Sequence, residues 1–186
     1  LTALHFSLSQ KPDLLMVSEV RSREEILEIL RAGGRGIKVI AGFIANSVLD
    51  TVLQVQALGI PLVSLIGAVH LILAQKIVRR ICLYCREQVE VSRDYGDFMG
   101  TGDSPLWLFR GKGCEMCNFT GYRGQAIISE ILPFSSEVKS FFLRNPSPEE
   151  IRKDLGKFLL HSFLDEGKAK VLAGITTMEE ITRVMQ

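Results

Sequence analysis

Pro12-Asp-Leu-Leu-Met-Val-Ser-Glu-Val-Arg21 and, one helix-forming segment later, Ile37-Lys-Val-Ile40 decide the fold class. Leu14-Leu-Met-Val17 is a short apolar run with Pro12 before it and polar residues after it, the pattern of a buried strand. Ser22 can cap a helix, and Glu25 three positions on completes a capping box. Ile26, Leu27, Ile29 and Leu30 give that helix one apolar face, and Gly33, Gly34 and Gly36 end it. Ile37 to Ile40 reads as a second strand. Asn46 can cap a third segment, a helix through Ala57, and a further apolar helix is expected from about Leu62 to Val78. This β-α-β-α order predicts an α/β fold, a parallel sheet flanked by helices.

Working outward from there, Leu1 to Gln10 reads as the end of a helix, and the first residue is Leu, so an upstream portion is expected to be missing. No basic, apolar leader of the secretory kind is visible. The stretch Ala57 to Ala74 is strongly apolar, and a membrane-spanning helix needs about 20 such residues. Gly59, Pro61, Ser64, Gly67 and His70 interrupt this one before Gln75 and Lys76 close it, so a buried helix of a soluble protein is expected. The chain has 186 residues, is 47% hydrophobic and carries a formal net charge of +1. It can bury a real core, and its charge balance gives no reason to expect nucleic acid or an acidic membrane surface as partner.

From Cys82 to about Gly124 the character changes to glycines, prolines and short polar pieces, bracketed by Cys82-x-x-Cys85 and Cys114-x-x-Cys117. Two residues between cysteines let both thiolates of a knuckle reach one tetrahedral ion. Gly111, Gly113 and Gly121 permit the tight turns this needs. The reading is one structural zinc with no position open to water; unmetallated or partly oxidised thiols, two disulfides, and redox chemistry are the alternatives. Trp107 and Phe109 are expected to pack beneath the knuckles, with an exposed docking patch as the alternative, and His70 to be a hydrogen-bonded core histidine. Gln125 to Leu132 reads as a strand returning to the core, and the remainder as helices. Ser147-Pro-Glu-Glu150 places cap, first-turn proline and capping Glu in register, and Thr177 with Glu180 repeats the box.

Several of these stretches together carry a resemblance. Pro12 to Arg21 resembles the Walker B segment of the secretion ATPases, the motors of type II secretion and type IV pilus assembly. Gln75-Lys-Ile-Val-Arg-Arg-Ile-Cys82 resembles the approach to that family's first zinc knuckle, and Gly113-Cys-Glu-Met-Cys-Asn-Phe-Thr-Gly-Tyr-Arg-Gly124 the second. Ile128-Ser-Glu-Ile-Leu132 resembles the strand after it, and Asp165 to Glu180 the last helices. The resemblance runs through essentially the whole chain in one order.

It implies the later half of a RecA-like parallel-sheet ATPase domain with an inserted four-cysteine zinc subdomain and a C-terminal helical part. The divisions expected are 1–81 for the partial core, 82–124 for the zinc subdomain and 125–186 for a core strand and terminal helices. It further implies a cytoplasmic location peripheral to the inner membrane. The implied partners are copies of itself in a hexameric ring, or an active paralogue, together with cytoplasmic parts of inner-membrane secretion or pilus proteins. Glu19 stands where such ATPases place the carboxylate that orients water or the magnesium shell, with a solvated strand-end Glu as the alternative. Arg21 could contact nucleotide or a neighbouring subunit, with a surface ion pair as the alternative, and Asn46 is a nucleotide-side residue. Arg79 and Arg80 are expected at a solvated helix end or as a basic edge.

The departures carry as much weight. A phosphate-binding loop needs G-x-x-x-x-G-K-[ST], and neither Gly33-Gly-Arg-Gly-Ile-Lys38 nor Gly111-Lys-Gly113 supplies it. ATP and Mg2+ are therefore expected only with an upstream part. The family's histidine box, roughly Thr-Leu-His-Thr-Asn, is here Gly42-Phe-Ile-Ala-Asn46, with Ile44 in place of the histidine and Ala45 in place of a threonine. Ile44 is expected to favour burial, and Ser22 stands where the Walker B stretch usually ends in Asp. The expectation is a non-catalytic or weakly catalytic motor subunit. The rivals are an active ATPase with its phosphate loop upstream, and a stand-alone zinc-containing interaction module.

Overall fold

The computed structural model describes residues 2–91, 99 and 106–186. Leu1, and residues 92–98 and 100–105 of the cysteine-bracketed excursion, lie outside the described residues. The chain divides into two compact units, Leu1–Ala74 with Glu130–Leu160, and Gln75–Ser129 with His161–Gln186.

The first unit begins with α1 (Thr2–Ser9), β1 (Leu14–Val20), α2 (Arg23–Gly34), β2 (Lys38–Phe43) and α3 (Val48–Ala57). β1, α2 and β2 form as the sequence predicts. β1 and β2 pair in parallel, with Leu14 opposite Lys38 and Val17 opposite Ala41. Ser22 and Glu25 form the reciprocal capping box that starts α2. The core is built on Val48, Val52 and Val55 of α3, all buried, packed with Ile60, Leu62 and Phe142. α5 (Ser136–Leu143) and α6 (Pro148–Asp154) complete the unit, α6 with the complete Ser147–Glu150 box and Pro148 in its first turn.

Three expectations are corrected in this unit. No helix runs from Leu62 to Val78, and Ala57 to Ala74 is not one buried helix. α4 is a single turn, Val63–Ile66, and β3 begins at Leu71 and continues to Ile81. Gly59, at φ 71°, breaks the chain after α3. From Leu71 burial then alternates with period two: Leu71 and Leu73 are exposed while Ile72 and Ala74 pack on the core. An apolar run does not by itself distinguish helix from strand; pairing with β6 (Tyr122–Pro133) decides this one. Second, the cap of α3 is Ser47, whose hydroxyl accepts from the Asp50 amide at 3.0 Å; Asn46 instead donates its amide to Asp50 Oδ2 at 2.9 Å. Third, His70 is an exposed residue at a bend, held through its carbonyl, which accepts from the Phe134 amide at 3.0 Å.

The second unit holds β4 (Arg86–Val91) and β5 (Leu106–Gly111), antiparallel from Arg86 opposite Gly111 to Val91 opposite Leu106. Two helices follow in sequence, α7 (Phe163–Leu172) and α8 (Met178–Met185). Ser162 and Asp165 form a capping box on α7. On α8 only half of the expected box forms. Thr177 accepts from the Glu180 amide, but the Glu180 carboxylate is buried and taken by Arg79 and Arg183. Arg79 and Arg80 accordingly lie on β3 and not at a helix end. Among the described residues no helix is long and apolar enough to cross a membrane.

Candidate functional site

β3 delivers Cys82, and a tight turn brings Cys85 to the start of β4, its amide donating to the Cys82 carbonyl at 3.4 Å. β5 ends at Gly111, and Gly113 at φ 92° admits the bend into the second knuckle, a single 3-10 turn over Glu115–Cys117. Main-chain bonds tie the two knuckles together. Cys82 N–H donates to the Gly121 carbonyl at 2.9 Å and Lys112 N–H to the Cys85 carbonyl at 3.0 Å.

The four sulfurs meet. Cys82 Sγ lies 3.9 Å from Cys114 Sγ, Cys85 Sγ 3.9 Å from Cys117 Sγ, and Cys114 Sγ 3.8 Å from Cys117 Sγ. All four lie within 4.8 Å of one another. A tetrahedron with metal–sulfur arms of about 2.3 Å has edges of about 3.8 Å, so the cluster has the size of a four-thiolate zinc site. All four cysteines are free. The chain also supplies amide donors to sulfur: Gly113 N–H to Cys85 at 3.3 Å, Cys114 N–H to Cys117 at 3.2 Å and Gly121 N–H to Cys117 at 3.3 Å. Burial pushes the Cys117 thiol up, but the amides of Cys114 and Gly121 and the neighbouring sulfurs outweigh it and hold this group at about 6. Burial pushes Cys85 up to about 12 against its one amide donor. Cys117 is thus the cysteine readiest to ionise, while burial pushes Cys85 and Cys114 up.

The aromatic residues of β5 part company. Phe109 is half-buried beneath the Arg86 guanidinium, 4.1 Å from its ring centre. Trp107 is 51% exposed, contrary to the expectation that it packs beneath the knuckles. Two residues along a strand is about 6.8 Å, which carries Trp107 past the cover that Arg86 provides.

In the first unit, the ends of β1 and β2 face the last turns of α3 across an open cleft of about 420 Å³. Glu19, Arg21, Phe43, Ile44 and Gln54 line it; Asn46, expected as a nucleotide-side residue, does not. Arg21 donates to Glu19 Oε2 at 2.7 Å, and their side chains are 76% and 30% exposed. The Arg21 guanidinium holds the Glu19 carboxyl below its ordinary range. Ile44 is 73% exposed, correcting the expectation of burial, because among the described residues none folds over the β2 end to cover it. The cleft therefore presents one carboxylate already paired and an apolar side chain where a polar one would be needed to contact an anion.

Over residues 2–183 the sequence matches the family described as type II/IV secretion system protein. The chain belongs to that family. Its relatives include the type IV pilus assembly ATPase PilB of Thermus thermophilus, 30% identical over 182 residues that make up 96% of this chain and 20% of the relative. The type II secretion system protein E of Pseudomonas aeruginosa is 32% identical over 178 residues, 95% of this chain and 35% of its own length. Among solved structures, the Yersinia pseudotuberculosis ATPase DotB superposes with a TM-score of 0.65 at 17% identity, over 99% of this chain and 40% of that one. The Legionella pneumophila DotB gives 0.61. The likeness to the solved structures shows the α/β fold, and the chain spans well under half the length of the relatives it matches.

Two residues of this secretion-family chain escaped the sequence reading. Glu180, expected to complete a capping box, is a buried ion-pair hub; Arg183 at i+3 on the same helix was a local signal, while Arg79 lies 101 positions away. Glu130, between Ser129 and Ile131 in β6, accepts the Val48 amide at 2.8 Å, closing the start of α3 from 82 residues away. A carboxylate in the half of the strand that holds Ile127, Ile128, Ile131 and Leu132 was the available clue.

Proposed function

We propose that this chain is the later part of a RecA-like domain in a secretion or pilus-assembly motor subunit, stabilised by one zinc and weak or inactive in ATP hydrolysis. Cys82, Cys85, Cys114 and Cys117 hold the metal; with four sulfurs bound it has no position for water and supplies cross-linking, not chemistry. Residues 82–124 form the zinc subdomain, set between the partial core of 1–81 and the strand and helices of 125–186. ATP and Mg2+ enter only with a phosphate loop supplied by further polypeptide. The subunit works in an oligomer, a ring of its own copies or a mixed one with an active paralogue. It sits on the cytoplasmic side of the inner membrane against the cytoplasmic parts of secretion or pilus proteins.

The observation that carries weak catalysis is the exposed Ile44 beside the Glu19–Arg21 pair. Losing one preorganised electrostatic contact costs on the order of 10²–10³ in rate. An exposed isoleucine can neither stabilise charge nor accept a proton. The rival, an active ATPase completed upstream, draws on Glu19, which keeps an accessible carboxylate on the cleft. Steady-state phosphate release by the full-length protein decides between them. We expect a slow rate that Ile44→His with Ala45→Thr raises severalfold. Turnover of about 1 per second or faster in the unaltered protein ends the weak-enzyme reading.

A further inference from the structure

Within the second unit, one short segment, Gly174 to Glu180, is bonded to the chain beside three of the four cysteines. Ile81, just before Cys82, donates its amide to the Ile175 carbonyl at 2.9 Å. Thr176 Oγ1 donates to the Arg79 carbonyl at 2.8 Å. Arg86, just after Cys85, donates to the Gly174 carbonyl at 3.4 Å. The ring of Phe109 occupies the space that a Cβ on Gly174 would need. Beyond Cys117, the Tyr122 hydroxyl lies 2.8 Å from Thr177 Oγ1, the same hydroxyl that caps α8.

Glu180 closes the arrangement. Its carboxylate is fully buried and accepts from the Arg79 amide at 2.8 Å, from the Arg79 guanidinium at 2.9 and 2.7 Å, and from Arg183 at 2.8 and 2.6 Å. Arg79 in turn lies 4.2 Å over the Tyr122 ring. At the far end of α8, Lys76 donates to the Val184 carbonyl at 2.6 Å. A knuckle is a pair of tight turns with little apolar surface of its own, so its geometry has to be set by neighbours. Here those neighbours are the turn before α8 and its first turn.

We propose that this segment positions the cysteine knuckles, so that metal binding and the docking of α8 are energetically coupled. The inference rests on the zinc reading above. A buried carboxylate held by two arginines has no second arrangement of similar energy, which makes it a rigid support and not an adaptable one. Partners outside a metal's ligands typically contribute 10–100-fold to its affinity by orienting those ligands. Coupling is reciprocal: the factor by which docked α8 tightens the metal is the factor by which the metal tightens α8. Glu180, Tyr122 and Thr177 are positioning residues in this scheme, and none is a ligand.

The test uses the whole chain, zinc(II) titrated against a chromophoric chelator, and amide hydrogen exchange with and without the metal. We expect one zinc per chain, a 10–100-fold weaker affinity in Glu180→Ala, and a smaller loss in Tyr122→Phe, which removes only a hydroxyl. Glu180→Gln, which can still accept from the Arg79 amide, should fall between wild type and Glu180→Ala. Removing zinc should speed exchange in 178–185 and leave 48–57, in the other unit, unchanged. Zinc bound with one affinity in every variant, or exchange in α8 indifferent to zinc, overturns the coupling and leaves the metal site standing. No zinc bound by the unaltered chain overturns both. If Glu180→Ala does not fold, Tyr122→Phe and the exchange of the unaltered chain decide the matter.

Discussion

The knuckles and the cleft were both marked by short motifs, and they came out differently. At the knuckles all four cysteines converged: four sulfurs on one tetrahedron's dimensions, with amides aimed at them. At the cleft Glu19 and Arg21 are neighbours that satisfy each other, Ile44 stands in the open, and Asn46 lies off the lining. A ligand set of four cysteines is complete within this sequence, because two short turns and a hairpin bring all of it together. An anion site needs donors converging from several elements, and the residues present at this cleft do not supply them. A local motif predicts a site well when the chemistry is local too.

The sharpest way to break that contrast is to remove a ligand. Cys114→Ser should cost the second unit most of its metal-derived stability and loosen 82–91 and 106–124, while the first unit keeps its core. Limited proteolysis followed by mass spectrometry reads which unit opens; simultaneous cleavage in both would mean that the metal supports the whole chain.

Acid should act next, and again on the second unit. Arg183 first, then Arg79, hold the Glu180 carboxyl down at about 2, against burial, from an ordinary 4.5. A depressed carboxyl contributes stability that is complete above its unfolded value and is lost as pH falls towards the folded one. The loss therefore falls between about pH 4.5 and 2. Breaking such a buried pair by Glu180→Ala should cost roughly 3–5 kcal/mol at neutral pH, less than that where the arginines reach water. Chemical denaturation monitored at Trp107, beside β4, from pH 7 down to 3 measures it. A Glu180→Ala protein whose stability falls over that window as steeply as wild type would assign the acid sensitivity elsewhere.

Smaller effects belong to the first unit. Glu130→Ala removes the acceptor for the Val48 amide and should destabilise by about 1–2 kcal/mol, as loss of a helix-start acceptor does. An unchanged denaturation midpoint would show that solvent replaces Glu130 at no cost. Smallest of all is Ile44→His, with a stability change within about 0.5 kcal/mol because the side chain is exposed. A larger loss would reveal a buried role for Ile44 and weaken the contrast between cleft and knuckles.

Legibility followed the range of the interactions. The two strands, the Ser22 and Ser147 boxes and the knuckle turns rest on residues within a few positions of each other, and all were readable. Leu62 to Val78 was misread because its composition suits either helix or strand and β6, fifty residues on, makes the choice. Thr177 caps α8 as expected, yet Glu180 does not return the bond, since Arg79, 101 positions away, and Arg183, one turn on, hold it. Trp107 and Phe109 look equivalent in sequence and differ only because Arg86 and Gly174 reach one of them.

By itself, then, the order of residues determined the α/β class, the starts of α2 and α6, the spacing of the cysteines into two knuckles and the apolar Ile44-Ala45 pair. These depend on backbone preference, on spacing and on side-chain chemistry, which are properties of neighbours along the chain. Tertiary structure alone decided that β3 is a strand, that Glu130 closes α3, that Ile44 stays open to solvent, and that α8 is bolted to the chain leading into the cysteine knuckles. Each of those depends on which distant group supplies a hydrogen bond or covers a surface, and that is settled only when the elements pack.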